Sequence, residues 1–424
     1  MWDSLLGLLA GFSFYYPLFM AYLWLTGGIY YFFHWERHEP PVDAPPRLPA
    51  CPPLSLIIPC HNEGLHLRDT MARAAALDYP QYEIIAVNDG STDDTGLILD
   101  ELQAHYPNLR VLHLEHNQGK AMALRMGALA SPNEILVCID GDAVLDRHAL
   151  HWLVRHFVDG PRVAAVTGNP RIRNRSTLLG KIQVGEFSSI IGLIKRAQRI
   201  YGRIFTVSGV VTAFRKSALQ RVGFWSTDMV TEDIDVSWRL QLDHWDIRYE
   251  PNALCWILMP ETLRGLWRQR LRWAQGGAEV LLRYRRDLLS WRKRRMWLVY
   301  LELLTSISWA YVMTIGACLW LIGMLLPLPA GLQVTSLAPP RWSGVLLAFT
   351  CLLQFVVSLR LDGRYERRTT ARYYYWMIWY PLVYWLLNVL TSVVALPKAL
   401  LKRRGQRAVW TSPDRGLHQA RRAP

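Results

Sequence analysis

Residues Tyr82–Asp94 read YEIIAVNDGSTDD. A short apolar run rich in β-branched residues stops abruptly in a turn built from Asn, Asp, Gly, Ser and Thr. Its length and flanking turn chemistry predict a buried strand. The pattern recurs upstream, where Leu54–Ile58 (LSLII) is closed by Pro59-Cys60-His61-Asn62-Glu63. It recurs downstream, where Ile135–Ile139 (ILVCI) runs into Asp140-Gly141-Asp142. Leu65–Ala76, Leu97–His105 and Ala121–Ala130 carry helical spacing between these runs, and Val111–Leu114 and Val163–Val166 add strands. Strands alternating with helices predict a mainly parallel α/β sheet covered on both faces. Ligands of such sheets bind at the carboxyl ends of the strands, and each acidic turn falls at one.

On either side of this region the chain changes character. The apolar run from about Leu5 to Phe33 is too long for a signal-peptide core, has no basic start and is long enough to span a bilayer. A proline-rich linker follows, with Pro40, Pro41, Pro45, Pro46, Pro49, Pro52 and Pro53. Apolar runs return at about Trp297–Leu326, Val345–Leu359 and Tyr373–Leu396. The organisation expected is a membrane segment over residues 1–35, a linker over 36–53 and a catalytic domain over 54–260. Amphipathic interface helices then cover 261–296, transmembrane helices 297–400 and a basic tail 401–424. Four simple spans would leave Lys402-Arg403-Arg404 on the side opposite the catalytic domain, against the positive-inside rule. A final segment broken at Pro381 that lies in the interface is the alternative. Of 424 residues, 51% are hydrophobic, and 48 Lys+Arg against 34 Asp+Glu leave a net charge of +14. The basic residues flank the apolar runs, which favours lipid and phosphorylated small molecules over nucleic acid. The six cysteines form no CxxC pair and are expected to be reduced packing residues.

The acidic turns admit two readings. Asn, Asp, Gly and Ser favour turns for backbone reasons alone. Asp140 and Asp142, one residue apart after a buried strand, also suit a divalent cation bound through oxygen. Gly119-Lys120 opens a helix whose N-terminus and lysine favour a phosphate, although the GxxxxGK[ST] spacing is missing. Thr231-Glu232-Asp233 is either an ordinary capped helix start or the carrier of a general base. Gln269-Arg270-Leu271-Arg272-Trp273 (QRLRW) is either a basic helix lying on lipid or part of a site.

Taken in order, PCHNE, NDGSTDD, NQGKAMAL, DGD, TED and QRLRW resemble the processive family-2 glycosyltransferases, among them cellulose, chitin and hyaluronan synthases. The resemblance runs from about Leu54 to Gly277 and implies a Rossmann-like GT-A fold. It implies donor-binding roles for Pro59, Asn62, Glu63 and Lys120, with Asp89 recognising the uridine and Asp140 contacting the nucleotide. Asp142 would hold Mg²⁺ or Mn²⁺, Asp233 beside Glu232 would be the base, and Gln269, Arg272 and Trp273 would form a QxxRW motif. Arg272 would then face the diphosphate and Trp273 the acceptor sugar, while Arg264, Arg268 and Arg270 rest on the membrane. The end segments FSFYYPLFMAYLWLTGGIYYFFHWE, YWMIWYPLVYWLLNVLTSVVALPKALL and VWTSPDRG resemble the bacterial subgroup that links N-acetylglucosamine through β-1,6 bonds. That implies UDP-N-acetylglucosamine as donor and a growing exopolysaccharide as acceptor. It also implies a small membrane partner subunit, cyclic di-GMP at that partner's interface, and a place in the bacterial inner membrane.

Other features have blander expectations. Arg171, Arg173 and Arg175 alternate as on a strand and are expected on a solvated edge. Ser208–Ala213 reads either as a buried strand with a glycine for close approach or as part of an acceptor pocket. Arg283, Arg285, Arg286, Arg292, Arg294 and Arg295 read as a positive-inside anchor. The nearest rivals are a single-sugar transferase acting on a lipid phosphate, which usually lacks QxxRW, and an inactive membrane scaffold.

Overall fold

The computed structural model describes residues 2–329, 332–334, 342–366, 369–403 and 405–408. Its centre is an eight-stranded sheet of order β3-β2-β1-β4-β7-β6-β8-β5. The strands are β1 (Leu54–Cys60), β2 (Tyr82–Asp89), β3 (Leu109–Leu114), β4 (Ile135–Ile139), β5 (Val144–Leu145), β6 (Val163–Ile172), β7 (Val211–Arg215) and β8 (Asp246–Ile257). β1 pairs in parallel with β2 and β4, β2 with β3, and β6 with β8. β7 runs antiparallel between β4 and β6, and β5 antiparallel to β8. The alternation expected from sequence is therefore present, with one reversed strand inside the sheet. β1 shows why its run is continuously apolar: Leu56 and Ile58 pack with Met71 and Trp152, while Ile57 packs with Leu124 on the other face. A strand covered on both sides has no solvent face to mark with polar residues.

The long apolar runs form helices. α1 (Trp2–Tyr31) precedes the sheet. The sheet's own helices are α2 (Leu67–Ala75), α3 (Thr95–His105), α4 (Lys120–Ala130), α5 (Ala149–Val158), α6 (Leu178–Phe187), α7 (Ile194–Tyr201), α8 (Lys216–Arg221) and α9 (Glu232–Leu242). α10 (Leu263–Tyr284) carries the QRLRW stretch, and α11 (Trp297–Leu325) and α12 (Trp342–Asp362) follow. Three helical stretches, Gly7–Glu36, Trp291–Leu325 and Trp342–Asp362, are long and apolar enough to cross a membrane. Large apolar side chains such as Phe19, Met324 and Phe349 stand exposed on them, a surface suited to lipid and not to water.

The last apolar run is broken. After the short α13 (Tyr374–Met377), a π-turn at Tyr380–Tyr384 spans Pro381 and leads into α14 (Trp385–Leu401). α14 packs along α10 and ends on the catalytic domain, where Lys402 Nζ meets both Glu279 carboxylate oxygens at 3.0 Å. The described residues thus hold three long apolar helices and a shorter one, α14, whose end meets α10. Arg367, Arg368 and the VWTSPDRG segment lie outside the described residues.

The expectation for the alternating arginines also needs correction. β6 lies between β7 and β8, so Arg171 is not at an edge. It is 2% exposed and pairs with Asp362 and Glu366. Arg175 adds a 2.6 Å contact to Glu366. Arg196 of α7 pairs with Glu36 at 2.6 Å and Asp362 at 3.0 Å, and Tyr365 donates to Glu36 at 2.8 Å. This closed network ties the end of α1 and the end of α12 to the sheet. Arg173 alone of the three is exposed, paired with Asp69. All six cysteines are free thiols, with Cys318 facing outward on α11.

Candidate active site

The acidic strand ends open into one cavity of about 1350 Å³. Of the residues singled out from sequence, Glu63, Lys120, Asp140, Asp142, Glu232, Asp233, Gln269, Arg272 and Trp273 line it. They arrive from β1, β4, α4, α9 and α10, elements far apart in the chain. Pro59, Asn62 and Asp89 do not line it. Asn62, at φ 55°, braces the NDGST turn: its side-chain oxygen accepts from Thr92 N–H at 2.9 Å. Asp89 is fully buried, and its two oxygens accept from Gln118 and Gly119 N–H, each at 2.8 Å. Asp89, the residue expected to recognise the uridine, holds one backbone N–H on each of its oxygens. It shapes the loop that delivers Lys120.

Lys120 is the hub. Its ammonium lies 2.5 Å from Asp140, 3.4 Å from Glu232 and 3.1 Å from the Gly209 carbonyl. Burial opposes its charge, but Asp140 and Glu232 outweigh burial and hold it above the usual lysine range. One ammonium thus stands among several carboxylates, and Lys195, Arg264, Arg268 and Arg272 are the other cations of the cavity lining. Asp233 responds to this: burial first, then the neighbouring Glu232, pushes its carboxyl up to about 6, against the pull of Lys120 and Arg272. Gly209 fits this crowding, since a Cβ there would stand 2.9 Å from an Asp233 oxygen and 3.4 Å from Lys120 Nζ. The Ser208–Ala213 stretch therefore serves both readings: strand from Val211, cavity wall at Ser208 and Gly209.

Thr231 stands at the N-cap of α9 but makes no capping hydrogen bond. Its side chain packs instead on Gly276, where a Cβ would come within 1.7 Å of its hydroxyl. Gly276 thus lets α10 approach the TED turn. On α10, Arg270 is buried, bound to Glu186 at 2.6 Å, and stacked 4.3 Å over the Trp273 ring. The lipid-facing role expected for Arg270 is corrected accordingly, and Arg264 and Arg268 line the cavity.

Among the described residues, no three His, Cys, Asp or Glu side chains converge into a protein-only metal cage. Asp140 and Asp142 are instead the one- or two-carboxylate set that Mg²⁺ typically completes with substrate phosphates, so the donor chemistry fits.

The far wall was not read from sequence. Lys195 and Gln198 of α7, Tyr16 and Trp24 of α1, and Glu302 and Ser306 of α11 line it. Burial pushes Lys195 down to about 7, with Asp233 opposing, and its ammonium bonds Thr167 at 3.0 Å. Gln198 donates to Glu302 at 3.1 Å. The available signal was Glu302 itself, the one acid in the apolar run Trp297–Leu325. Beyond α14, Ala408 donates to the Thr227 carbonyl at 2.9 Å and lines the same cavity beside Gly119.

The acidic strand ends of a Rossmann-like sheet thus face a cavity walled in part by helices long and apolar enough to cross a membrane. Residues 52–276 match the model of the family described as glycosyltransferase like family 2, and the chain belongs to that family. It is similar to the poly-β-1,6-N-acetyl-D-glucosamine synthase of Staphylococcus epidermidis, at 42% identity over 410 residues covering 96% of this chain and 98% of the relative. The enzyme of the same name from Staphylococcus aureus strain COL is 40% identical over 409 residues, with the same coverage. In fold the chain is similar to a mannosyltransferase from Pyrobaculum calidifontis, solved with GDP-Man and Mn²⁺. The TM-score is 0.57 at 20% identity, over 93% of this chain and 99% of that one.

Proposed function

We propose that the chain polymerises N-acetylglucosamine from UDP-N-acetylglucosamine into a β-1,6-linked exopolysaccharide by inverting, single-displacement transfer. The observation that carries this reading is the setting of Asp233. It is a carboxyl pushed up to about 6 at the meeting of the Lys120 cluster and the helix-lined wall. A base with a pKa near the working pH is matched to its task. Asp233 takes the proton from O6 of the acceptor's terminal sugar as that oxygen attacks C1 of the donor. UDP departs from the opposite face, so an α-linked donor becomes a β-linked product. Lys120 and Arg272 offset the charge that develops on the leaving diphosphate. Asp142, with Asp140 beside it, would hold Mg²⁺ or Mn²⁺, which when bound neutralises charge on that diphosphate. Asp89 acts indirectly, through the loop that presents Lys120. The exposed face of Trp273, opposite Arg270, stacks on an acceptor ring.

The wall of Trp24, Gln198 and Glu302 leads the product from the site toward α1 and α11, through which it leaves. UDP-sugars are cytosolic, so the catalytic domain faces the cytoplasm of a bacterial inner membrane. A small membrane partner subunit and activation by cyclic di-GMP belong to the same reading. The test uses membranes carrying this chain, with and without that partner and cyclic di-GMP, given UDP-N-acetylglucosamine and Mg²⁺. Mass spectrometry of the product should show a β-1,6 polymer. Turnover only with another UDP-sugar would overturn the donor and keep the transferase.

A further inference from the structure

A second cavity, of about 630 Å³, lies away from the catalytic one, between the end of α7, the start of β8 and the turn before α11. Five arginines line it: Arg162, Arg203, Arg248, Arg294 and Arg295. Its acids are Asp159 and Asp246, and Asp246 is heavily shared. It lies 3.0 Å from Arg199, 3.4 Å from Arg248 and 3.9 Å from Arg203. Arg162 and Arg295 make no ion pair with the described residues. Positive charge is therefore undercompensated here, the reverse of the balance around Lys120.

Arg203 gives the cavity a built element. It is only 7% exposed, and one terminal nitrogen donates to the Trp245 carbonyl at 3.1 Å. Its Nε is buried and has no hydrogen-bond partner. A buried charged donor left unpaired is costly, so such a group calls for an acceptor. Burial disfavours its charged form, Asp246 opposes this, and the repulsion of Arg295, Arg199 and Arg162 adds to the burial effect. A planar guanidinium matches the geometry of a phosphate. Arg294 and Arg295 immediately precede α11, and the exposed Leu298 of its first turn lines the cavity too. The cavity thus sits where an apolar helix begins, at headgroup depth for a helix that enters a bilayer.

We propose that this cavity binds a phosphate group, and that its place at the start of α11 makes a phospholipid headgroup the ligand, clamping the catalytic domain to the membrane. A free phosphate compound offers the same chemistry, so the test separates the two sources. The full chain, purified in a nonionic detergent, is titrated with phosphatidylglycerol, with phosphatidylcholine and with inorganic phosphate. Bound lipid is read by native mass spectrometry and Tm by thermal unfolding.

Phosphatidylglycerol should be retained and raise Tm, as a ligand of the native state must. Arg203→Lys, which keeps the charge but loses Nε, and Arg295→Gln, at an exposed position, should each weaken retention about tenfold. Arg295→Gln keeps the test valid if Arg203→Lys folds poorly. Protection by inorganic phosphate that both variants lose would confirm the phosphate site and reassign its source to a soluble compound. Equal retention of the two lipids with no phosphate effect, or variants that bind like the parent, would overturn the proposal.

Discussion

Two dense charge clusters, a clamp around Arg171 and Arg196 and the catalytic cavity around Lys120, are built to different rules. In the clamp, Arg171, Arg175 and Arg196 meet Glu36, Asp362 and Glu366, so three cations are matched by three carboxylates. In the catalytic cavity, Asp140, Glu232 and Asp233 outnumber the one ammonium of Lys120 beside them and open onto space. Burying a charge requires compensation. The clamp finds it internally and is structural. The cavity lacks it, which is the condition for taking cationic or hydrogen-bonding partners from outside.

That contrast can be broken by mutation. The largest expected effect is on catalysis. Asp233→Asn should lower sugar transfer about 10²–10⁴-fold while sparing UDP binding and Tm, since it removes the base and little packing. Loss of UDP binding in that variant, measured by calorimetry, would count against the role. Next, Arg196→Met should leave Glu36 without its cation and Asp362 with Arg171 alone, and cost about 3–5 kcal/mol of stability. Thermal unfolding of the purified protein should show the drop, with donor affinity unchanged in the fraction that stays folded. An unchanged Tm would mean the clamp is not what holds α1 and α12.

Gly209→Ala is gentler in chemistry but lands inside the crowded site. Its methyl would meet an Asp233 oxygen at 2.9 Å, so turnover should fall about 10–10²-fold at constant Tm. The smallest effect is a shift. Asp233 is pushed up to about 6, so its ionised, active fraction grows as pH rises through that value. Removing the like charge in Glu232→Gln should move the acid limb of kcat/KM to lower pH. An unmoved limb would show that the titrating group is not Asp233.

What could be read from the chain was local. The apolar runs with their acidic turns and the helix opened by Gly119-Lys120 needed only local apolar patterning and turn chemistry, while the roles of the TED and QRLRW stretches came from the family resemblance. The structure brings most of those residues into one cavity. Features whose meaning depends on distant partners were misread or passed over. Arg171 looked like a solvated edge because its partners lie 191 and 195 positions away. Arg270 looked like a lipid contact because Glu186 is 84 positions back.

By itself, then, the sequence determined the alternating α/β class, the sheet edge that carries the acids and the residue types able to do the chemistry. Those follow from the periodicity and conformational preferences of neighbouring residues. Only the tertiary structure decided which charges are spent on one another and which remain free, where α14 ends, and that the far wall holds Lys195, Gln198 and Glu302. The reason is physical. Whether a buried charge is neutralised depends on what lies within a few ångströms of it, and the chain order does not specify that.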